Sequence, residues 1–582
     1  MDPAVQQANY QLLGLKQGDR PVEDHIRDFL ELAHISDFPE SVLVVFFRGN
    51  LETSLRERLP PATHGWTLQE IVEETLLLSI TMFMMRWVMV VLLTDLVCSG
   101  RILWKMKERV RDIHQDRVKQ HMMMHTSTVI PKEGRIHQPL NHFDRKNNKT
   151  FPQRFFLNEV YWQHSDGPVF LYIGGEGPLS KFSVLFGHHV DMAESHGALL
   201  VALEHRFYGE SINPDGLESE KLRDLSSQQA LADLAAFHHY ISQCFSLSHK
   251  NTWISFGGSY AGALSAWLRG KFPHLIYGAV ASSAPVLAQL DFSSYNRVVG
   301  RSLMNEVVGG SKKCVAKVKQ AFAAVEASLL MGNEIEVGKD FRSCETPVKP
   351  DDKTELMQSL ADVFMGSVQY NEQGVVFSIA ELCDMMTNKS EAHKQEEPYD
   401  RLVQLVAMYR ARENAPCLDV SHEQLVFELS NTTAGRSSYR QWLYQTCTEF
   451  GFYQTCEDDS CLFSHLITLQ SQAELCSRLF NISQSRLPFN VDFTNQYYGG
   501  NRPQTQRVLY VNGNIDPWAE LSVVWNDTMV DNERVILIDG TAHCADMNSD
   551  KAWDRPALLH ARKEIERRVA MWLKRAAWHL MI

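Results

Sequence analysis

The chain has 582 residues, a formal net charge of −13, and 44% hydrophobic against 22% charged residues. That length exceeds what one compact domain usually holds, and the composition is that of a soluble globular protein. The acidic balance argues against nucleic acid as a partner, because phosphate recognition needs a basic face.

The beginning differs from the rest. Residues 1–83 show helical periodicity at Val22, Ile26, Phe29 and Leu30, are broken at Pro60-Pro61, and carry no cysteine. Residues 84–100 have the layout of an internal signal peptide. Arg86 is the charged flank, Trp87 to Leu93 the apolar run, and Cys98-Ser99-Gly100 a small-residue cleavage site. The run is too short to span a bilayer. The expectation is a precursor that starts at Met84 or Met85 and is cut near Gly100, with no stable membrane span.

From there a series of short apolar runs predicts buried strands, at Val169–Ile173, Ala198–Leu203, Thr252–Phe256, Ala279–Ser282, Arg507–Asn512 and Arg534–Ile538. Helical spacing predicts helices over Ser226–Tyr240 and Leu558–Trp578. The third run leads into Gly257-Gly258-Ser259-Tyr260-Ala261-Gly262, after which Leu264, Trp267 and Leu268 repeat at helical spacing. Strand, glycine-rich turn with a central serine, then helix is the context of a nucleophile elbow. The usual last glycine is Ala261 here, still a small residue. A serine hydroxyl needs a base, and the base needs an orienting carboxylate. Both follow in loops after later strands, as Asp516 in Gly513-Asn514-Ile515-Asp516-Pro517-Trp518 and His543 in Asp539-Gly540-Thr541-Ala542-His543. The expected triad is Ser259 as nucleophile, His543 as general base and then acid, and Asp516 as the group that sets the imidazole tautomer.

Between Pro285 and Arg507 lie far more residues than a parallel crossover needs. Helical patterns at Val315–Leu330, Lys353–Phe364 and Tyr399–Tyr409 predict a helical insertion covering the site. The expected division is 101–289 and 491–582 for the sheet domain and 290–490 for the insertion. Ten cysteines, Cys244 to Cys544, are even in number and lack paired metal-ligand spacings, so disulfides are expected, with Cys544 a candidate to stay reduced. Sequons begin at Asn148, Asn388, Asn431, Asn481 and Asn526. Together with the cysteines they favour the secretory pathway, endolysosomal or extracellular. No metal and no cofactor is expected: the pairs His188-His189 and His238-His239 lack a third ligand at a suitable spacing.

Several motifs carry a resemblance. They include Gly174-Gly175-Glu176-Gly177-Pro178, Glu204-His205-Arg206-Phe207-Tyr208-Gly209, Gln441 to Gly451, and Asn512-Gly513 with Asp516-Pro517-Trp518. From about residue 130 onward the chain resembles the prolyl carboxypeptidase and dipeptidyl peptidase II family of serine exopeptidases. The resemblance implies an α/β-hydrolase fold with a mostly helical cap and cleavage of short peptides, often beside proline, through an acyl-enzyme. It also implies an oxyanion hole from the N–H of Tyr260 and one N–H among Gly175, Glu176 and Gly177. His205 is expected to be structural, because its place in the chain is wrong for the base. Trp442 and Tyr444 are candidates to line a small apolar pocket, and Glu449 to pair a free peptide amine. Peptides are the expected partners, and a homodimer is left open. An esterase of the same fold and a catalytically dead glycosylated binding protein are the alternatives. Residues 1–80 resemble the capsid-like part of a retrotransposon Gag polyprotein. A fused gene model is the preferred reading of them, and a helical interaction module the other.

Overall fold

The computed structural model describes residues 101–582 except 125–129, 164–165, 213–215, 375–376, 388–396, 434, 436 and 580–582. Earlier in the chain it describes 22–35 and scattered positions. The internal signal stretch at 84–100 and the sequon at Asn388 therefore lie outside the described residues. The chain divides into two compact units, Met1–Cys98 and Ser99–Ile582. The first contains the helix Val22–Ile35, whose Ile26 and Phe29 are buried with Phe47 and Ile71.

The second unit is built on an eight-stranded sheet. Its strands are β1 (Lys132–Pro139), β2 (Thr150–Asn158), β3 (Val169–Ile173), β4 (Leu199–Leu203), β5 (Trp253–Gly258) and β6 (Gly278–Ser282), then β9 (Val508–Gly513) and β10 (Val535–Ile538). A separate parallel pair, β7 (Gln289–Asp291) and β8 (Gly451–Tyr453), belongs to the insertion. The order across the large sheet is β1-β2-β4-β3-β5-β6-β9-β10, parallel from β4 to β10 and antiparallel at β1 and β2. This is an α/β-hydrolase architecture. After β3 the chain goes to one side for β4 and then to the other for β5. That reversal opens a crevice at the carboxyl ends of β3 and β5, where open α/β sheets bind ligands.

Continuous apolar runs form these strands because both faces are covered. Side chains alternate across the sheet. Leu199, Val201 and Leu203 pack with Leu231, Leu234 and Phe237 of the helix Ser227–Cys244 on one face. Leu200 and Ala202 pack with Ile565, Val569 and Trp572 of the helix Pro556–His579 on the other.

The insertion between β6 and β9 is mostly helical and includes Lys312–Leu330, Pro350–Gln369, Ile379–Thr387 and Pro398–Arg412. Its apolar residues, among them Phe322 and Phe364, continue the core of the sheet's first face, so sheet and insertion form one compact unit. Four disulfides tie it: Cys314–Cys383, Cys344–Cys417, Cys447–Cys476 and Cys456–Cys461. Cys544 is a free thiol beside His543, the state in which it was a candidate to remain, and the expected pairing of Cys244 is corrected, since it is exposed and unbridged at the end of its helix. No described helix is long and apolar enough to cross a membrane.

The Glu204-His205-Arg206 motif explains how the loop after β4 is held. Glu204 accepts from Arg154, Leu179 N–H and the Ser211 hydroxyl. Arg206 is fully buried, bidentate to Asp233 at 2.6 Å, and donates to the carbonyls of Pro139, Leu140 and Asp224. Arg206→Met leaves the buried Asp233 charge with only His142 at 2.7 Å and the Gln153 amide to answer it. It should lower unfolding free energy by about 3–5 kcal/mol, measured by urea denaturation. Arg206→Met with Asp233→Leu should recover much of the loss. A single variant as stable as the parent removes this role.

Candidate active site

β5 ends in the turn that carries Ser259. Its backbone lies at φ 57°, ψ −130°, a conformation that L-residues avoid and that stores about 1–3 kcal/mol. The glycines around it make that turn sterically possible. A Cβ on Gly257 would meet the Ala261 carbonyl oxygen at 2.1 Å, and one on Gly262 the Ser282 oxygen at 2.7 Å. Ala261 is tolerated because Gly175 lies opposite, with room for ordinary contact at 3.4 Å. The helix Tyr260–Lys271 follows at once, so the Tyr260 N–H sits in its first turn without an intrahelical partner.

The loops after β9 and β10 are adjacent because those strands pair in parallel. They bring Asp516 to His543, with Nδ1 at 2.9 and 3.0 Å from the two carboxylate oxygens. Asp516 is fully buried and also accepts from the Trp518 N–H. Burial alone would lower the His543 pKa. The Asp516 charge outweighs it, helped by Cys544, and holds the imidazole well above its ordinary value. With Nδ1 committed to Asp516, Nε2 is the nitrogen left for chemistry. Ser259 and His543 line one cavity of about 440 Å³. No hydrogen bond joins the Ser259 hydroxyl to the imidazole among the described residues; catalytic hydrogen bonds of this kind tighten when substrate is in place.

The glycine-rich loop after β3 lines the same cavity. Gly174 N–H is used by the Leu203 carbonyl and Gly177 N–H by the Gly175 carbonyl. Of the three expected oxyanion candidates, Gly175 and Glu176 therefore retain an N–H, and the Glu176 N–H is engaged by its own side chain. The Glu176 carboxylate is buried and bonded to Lys107 at 2.5 Å. Burial opposes its ionisation, but Lys107 prevails and keeps its pKa below the usual range.

The expected pocket residues separate. Trp442 lines the cavity and stacks with Trp104 and Phe452. Tyr444 does not line it; its ring packs edge-on against Phe480 in a second core. Glu449 also lies away from the cavity wall. It accepts from the Ser227 N–H and hydroxyl and from Gln445, and burial pushes its carboxyl up to about 7. The reason is local. Thr446–Phe450 is a π-helical turn, which changes the rotation of the following side chains relative to an α-helix. His205 is directed into the fold, bonded to the Arg206 carbonyl and the Tyr260 hydroxyl, with burial taking its pKa down to about 4.

Two features escaped the sequence reading. The first is a clamp from the cap. The Gln369 carbonyl accepts the His543 N–H, and Gln373 donates to the His543 carbonyl at 2.9 Å. Trp518 and Tyr295 both donate to the Gln369 side chain. The second is the helix Ile102–Met124, which supplies Trp104, Lys107 and Arg111 to the cavity wall. Its inward face mixes Ile102, Leu103, Met106 and Val110 with Trp104, Lys107 and Arg111, so the apolar positions are interrupted by basic ones. Asn148, Asn431, Asn481 and Asn526 are all exposed.

A strained serine elbow, a buried histidine–carboxylate pair and a facing glycine-rich loop, all at the carboxyl edge of this sheet, describe a serine hydrolase. Comparison narrows that class. The family model described as serine carboxypeptidase S28 matches residues 138–565, and the chain belongs to that family of serine peptidases. It is 42% identical over 455 residues to the thymus-specific serine protease of Homo sapiens, covering 77% of this chain and 88% of the relative. Identity to the Mus musculus protein of that name is also 42%, with 77% and 89% covered. The lysosomal Pro-X carboxypeptidase of Bos taurus is 26% identical, with 74% and 85% covered. Residues 8–78 match a model of the PEG10/RTL1 C-terminal capsid-like domain.

Because Trp442 faces the cavity and the other two do not, Trp442→Ala should raise KM for short peptides about tenfold, the size of one lost aromatic contact. Tyr444→Phe and Glu449→Gln should leave the ratio of activity on free and blocked amino termini unchanged. A ratio that collapses in Glu449→Gln would restore that residue to the site.

Proposed function

We propose that residues 101–582 form a serine exopeptidase acting on short peptides, with Ser259, His543 and Asp516 as its catalytic residues. The observation that carries the reading is the buried Asp516–His543 hydrogen bond in the cavity that also holds the strained Ser259 turn. The Ser259 hydroxyl attacks the peptide carbonyl carbon while His543 Nε2 takes its proton. The carbonyl oxygen gains the charge and is met by the N–H groups of Tyr260 and Gly175. One such donor is worth about 2.7–4 kcal/mol in the tetrahedral state. The imidazolium then gives its proton to the leaving amine. Water repeats the sequence on the acyl-enzyme and frees Ser259. Asp516 stays ionised and steadies the imidazolium.

The cap supports the exopeptidase reading. It closes over the carboxyl edge of the sheet, so a cavity of about 440 Å³ favours chain ends over internal loops. The likeness to the Pro-X carboxypeptidases makes a small or cyclic residue beside the scissile bond the first one to test. Four disulfides and four exposed sequons support passage through the secretory pathway.

A fluorophosphonate should label the wild type and not Ser259→Ala, and a peptide-library digest should show trimming from one end. An unlabelled wild type, or internal cuts throughout, removes the proposal.

The base must be neutral to accept a proton. Since Asp516 raises its pKa, the acid limb of kcat/KM should lie above the ordinary histidine range of about 6.5. Asp516→Asn should lower kcat on the order of 10⁴-fold and move that limb to lower pH. The same pair stabilises the fold fully below the unfolded histidine pKa, and this contribution is lost as pH rises through the raised folded value. An acid limb unmoved in Asp516→Asn would detach His543 from this role.

A further inference from the structure

The charges on the cavity wall are unevenly matched. Arg101 is answered by Glu355 at 3.4 Å and Lys107 by Glu176 at 2.5 Å. Four further basic groups line the same cavity: Arg111, His114 and Arg117 from the helix Ile102–Met124, and Lys551 from the segment before the C-terminal helix. Arg111 has its exposed chain neighbour Asp112 at 3.6 Å. The side chains of His114, Arg117 and Lys551 have no ion pair or hydrogen bond among the described residues. The carboxylates beside Lys551 are already taken, since Asp550 and Asp554 each pair with Arg562 at 2.8 Å.

These groups form a cluster. Burial, then the charges of Lys551 and Arg117, depress the His114 pKa; burial depresses that of Lys551, opposed by the Asp554 charge and reinforced by Arg117. The Arg117 guanidinium lies over Gly374 of the cap, where a Cβ would meet Nη2 at 2.5 Å. Arg111 reaches the glycine-rich loop, its Nη1 at 2.9 Å from where a Cβ of Gly177 would stand. The basic wall therefore runs from the cap to the loop that faces Ser259. Arg111, Arg117 and Lys551 are cations gathered on one wall, Arg111 and Lys551 half-buried and Arg117 exposed, and His114 among them is held neutral; a bound anion would relieve the repulsion and could draw a proton onto His114.

The acids of the cavity are occupied. Glu176 holds Lys107, and Asp362 accepts from the Leu103 N–H and from Gln358. Glu449 is not part of the wall. Among the described wall residues a substrate amine thus meets no unpaired carboxylate, while a substrate carboxylate meets several cations.

We propose that Arg111, His114, Arg117 and Lys551 form a subsite for a carboxylate of the peptide substrate. The inference rests on reading the cavity as a peptidase site. It goes beyond the family match, because three of the four residues precede the matched span 138–565. Charge-assisted hydrogen bonds of this kind are directional and strong. The carboxylate has two sources. A peptide C-terminus held here would make the enzyme a carboxypeptidase, and an acidic side chain would make it selective for acidic peptides.

The test uses the secreted protein and one peptide in three forms: free C-terminal acid, C-terminal amide, and amide with a glutamate beside the scissile bond. The wild type should favour one carboxylate-bearing form over the plain amide by about tenfold or more in kcat/KM, chiefly through KM. The favoured form names the source. Arg117→Gln and Lys551→Gln should each bring that ratio to within about twofold of unity. The two residues sit on separate elements, so misfolding of one variant leaves the other readable. Equal turnover of all three forms by the wild type, or a preference that survives both substitutions, overturns the subsite. Fluorophosphonate labelling of Ser259 separates the two levels. A labelled wild type with no carboxylate preference overturns the subsite alone, and an unlabelled one overturns the peptidase reading with it.

Discussion

The buried hydrogen bond between the Asp516 carboxylate and His543 Nδ1 is the interaction on which the chemistry rests. A histidine taken out of water loses basicity, and His188, His189 and His205 in this protein are taken down to about 4 by burial. His543 is as deeply placed and shifts the other way, because a full negative charge lies against its ring. One contact therefore separates a proton acceptor from the structural histidines. It also fixes the tautomer, so that the far nitrogen is available to the serine.

That contact is maintained from three directions. The parallel pairing of β9 with β10 sets the two loops side by side. The cap holds the His543 backbone from above through Gln369 and Gln373. The C-terminal helix holds the following residues from below, where Arg562 donates to the carbonyls of Ala545 and Asp546. The cap thus holds the His543 backbone as well as covering the site, and four disulfides tie it. Disulfides act mainly by restricting the unfolded chain.

Much of this was legible in the residue order. Strands buried on both faces reveal themselves as continuous apolar runs, and Leu199–Leu203 is such a run. An elbow needs small residues where backbones nearly touch, so Gly257 and Gly262 mark it. The Asp516 and His543 loops were readable because each follows a strand in a fixed order. Tyr444 and Glu449 lie off the cavity wall, Tyr444 in the α-helix that packs on Phe480 and Glu449 within a π-helical turn, which rotates its side chain away from where helical spacing would aim it and which no residue pattern announces. Gln369 and Gln373 were missed because glutamine carries no signature of what its amide will bond. Cys244 was counted as paired on parity, while bridge formation depends on the distance between Cα atoms.

By itself the sequence determined the class of fold, the loops that carry Ser259, Asp516 and His543, and the presence of a helical insertion. Each is written in local patterns that short-range sterics and burial impose. The tertiary structure alone decided which side chains share the cavity. It placed a helix from before the sheet, with its basic residues, against a loop more than fifty positions later, and set the end of a cap helix against His543. Those contacts follow from how separately formed elements pack together, and side-chain neighbours created by packing leave no periodic trace in the chain that makes them.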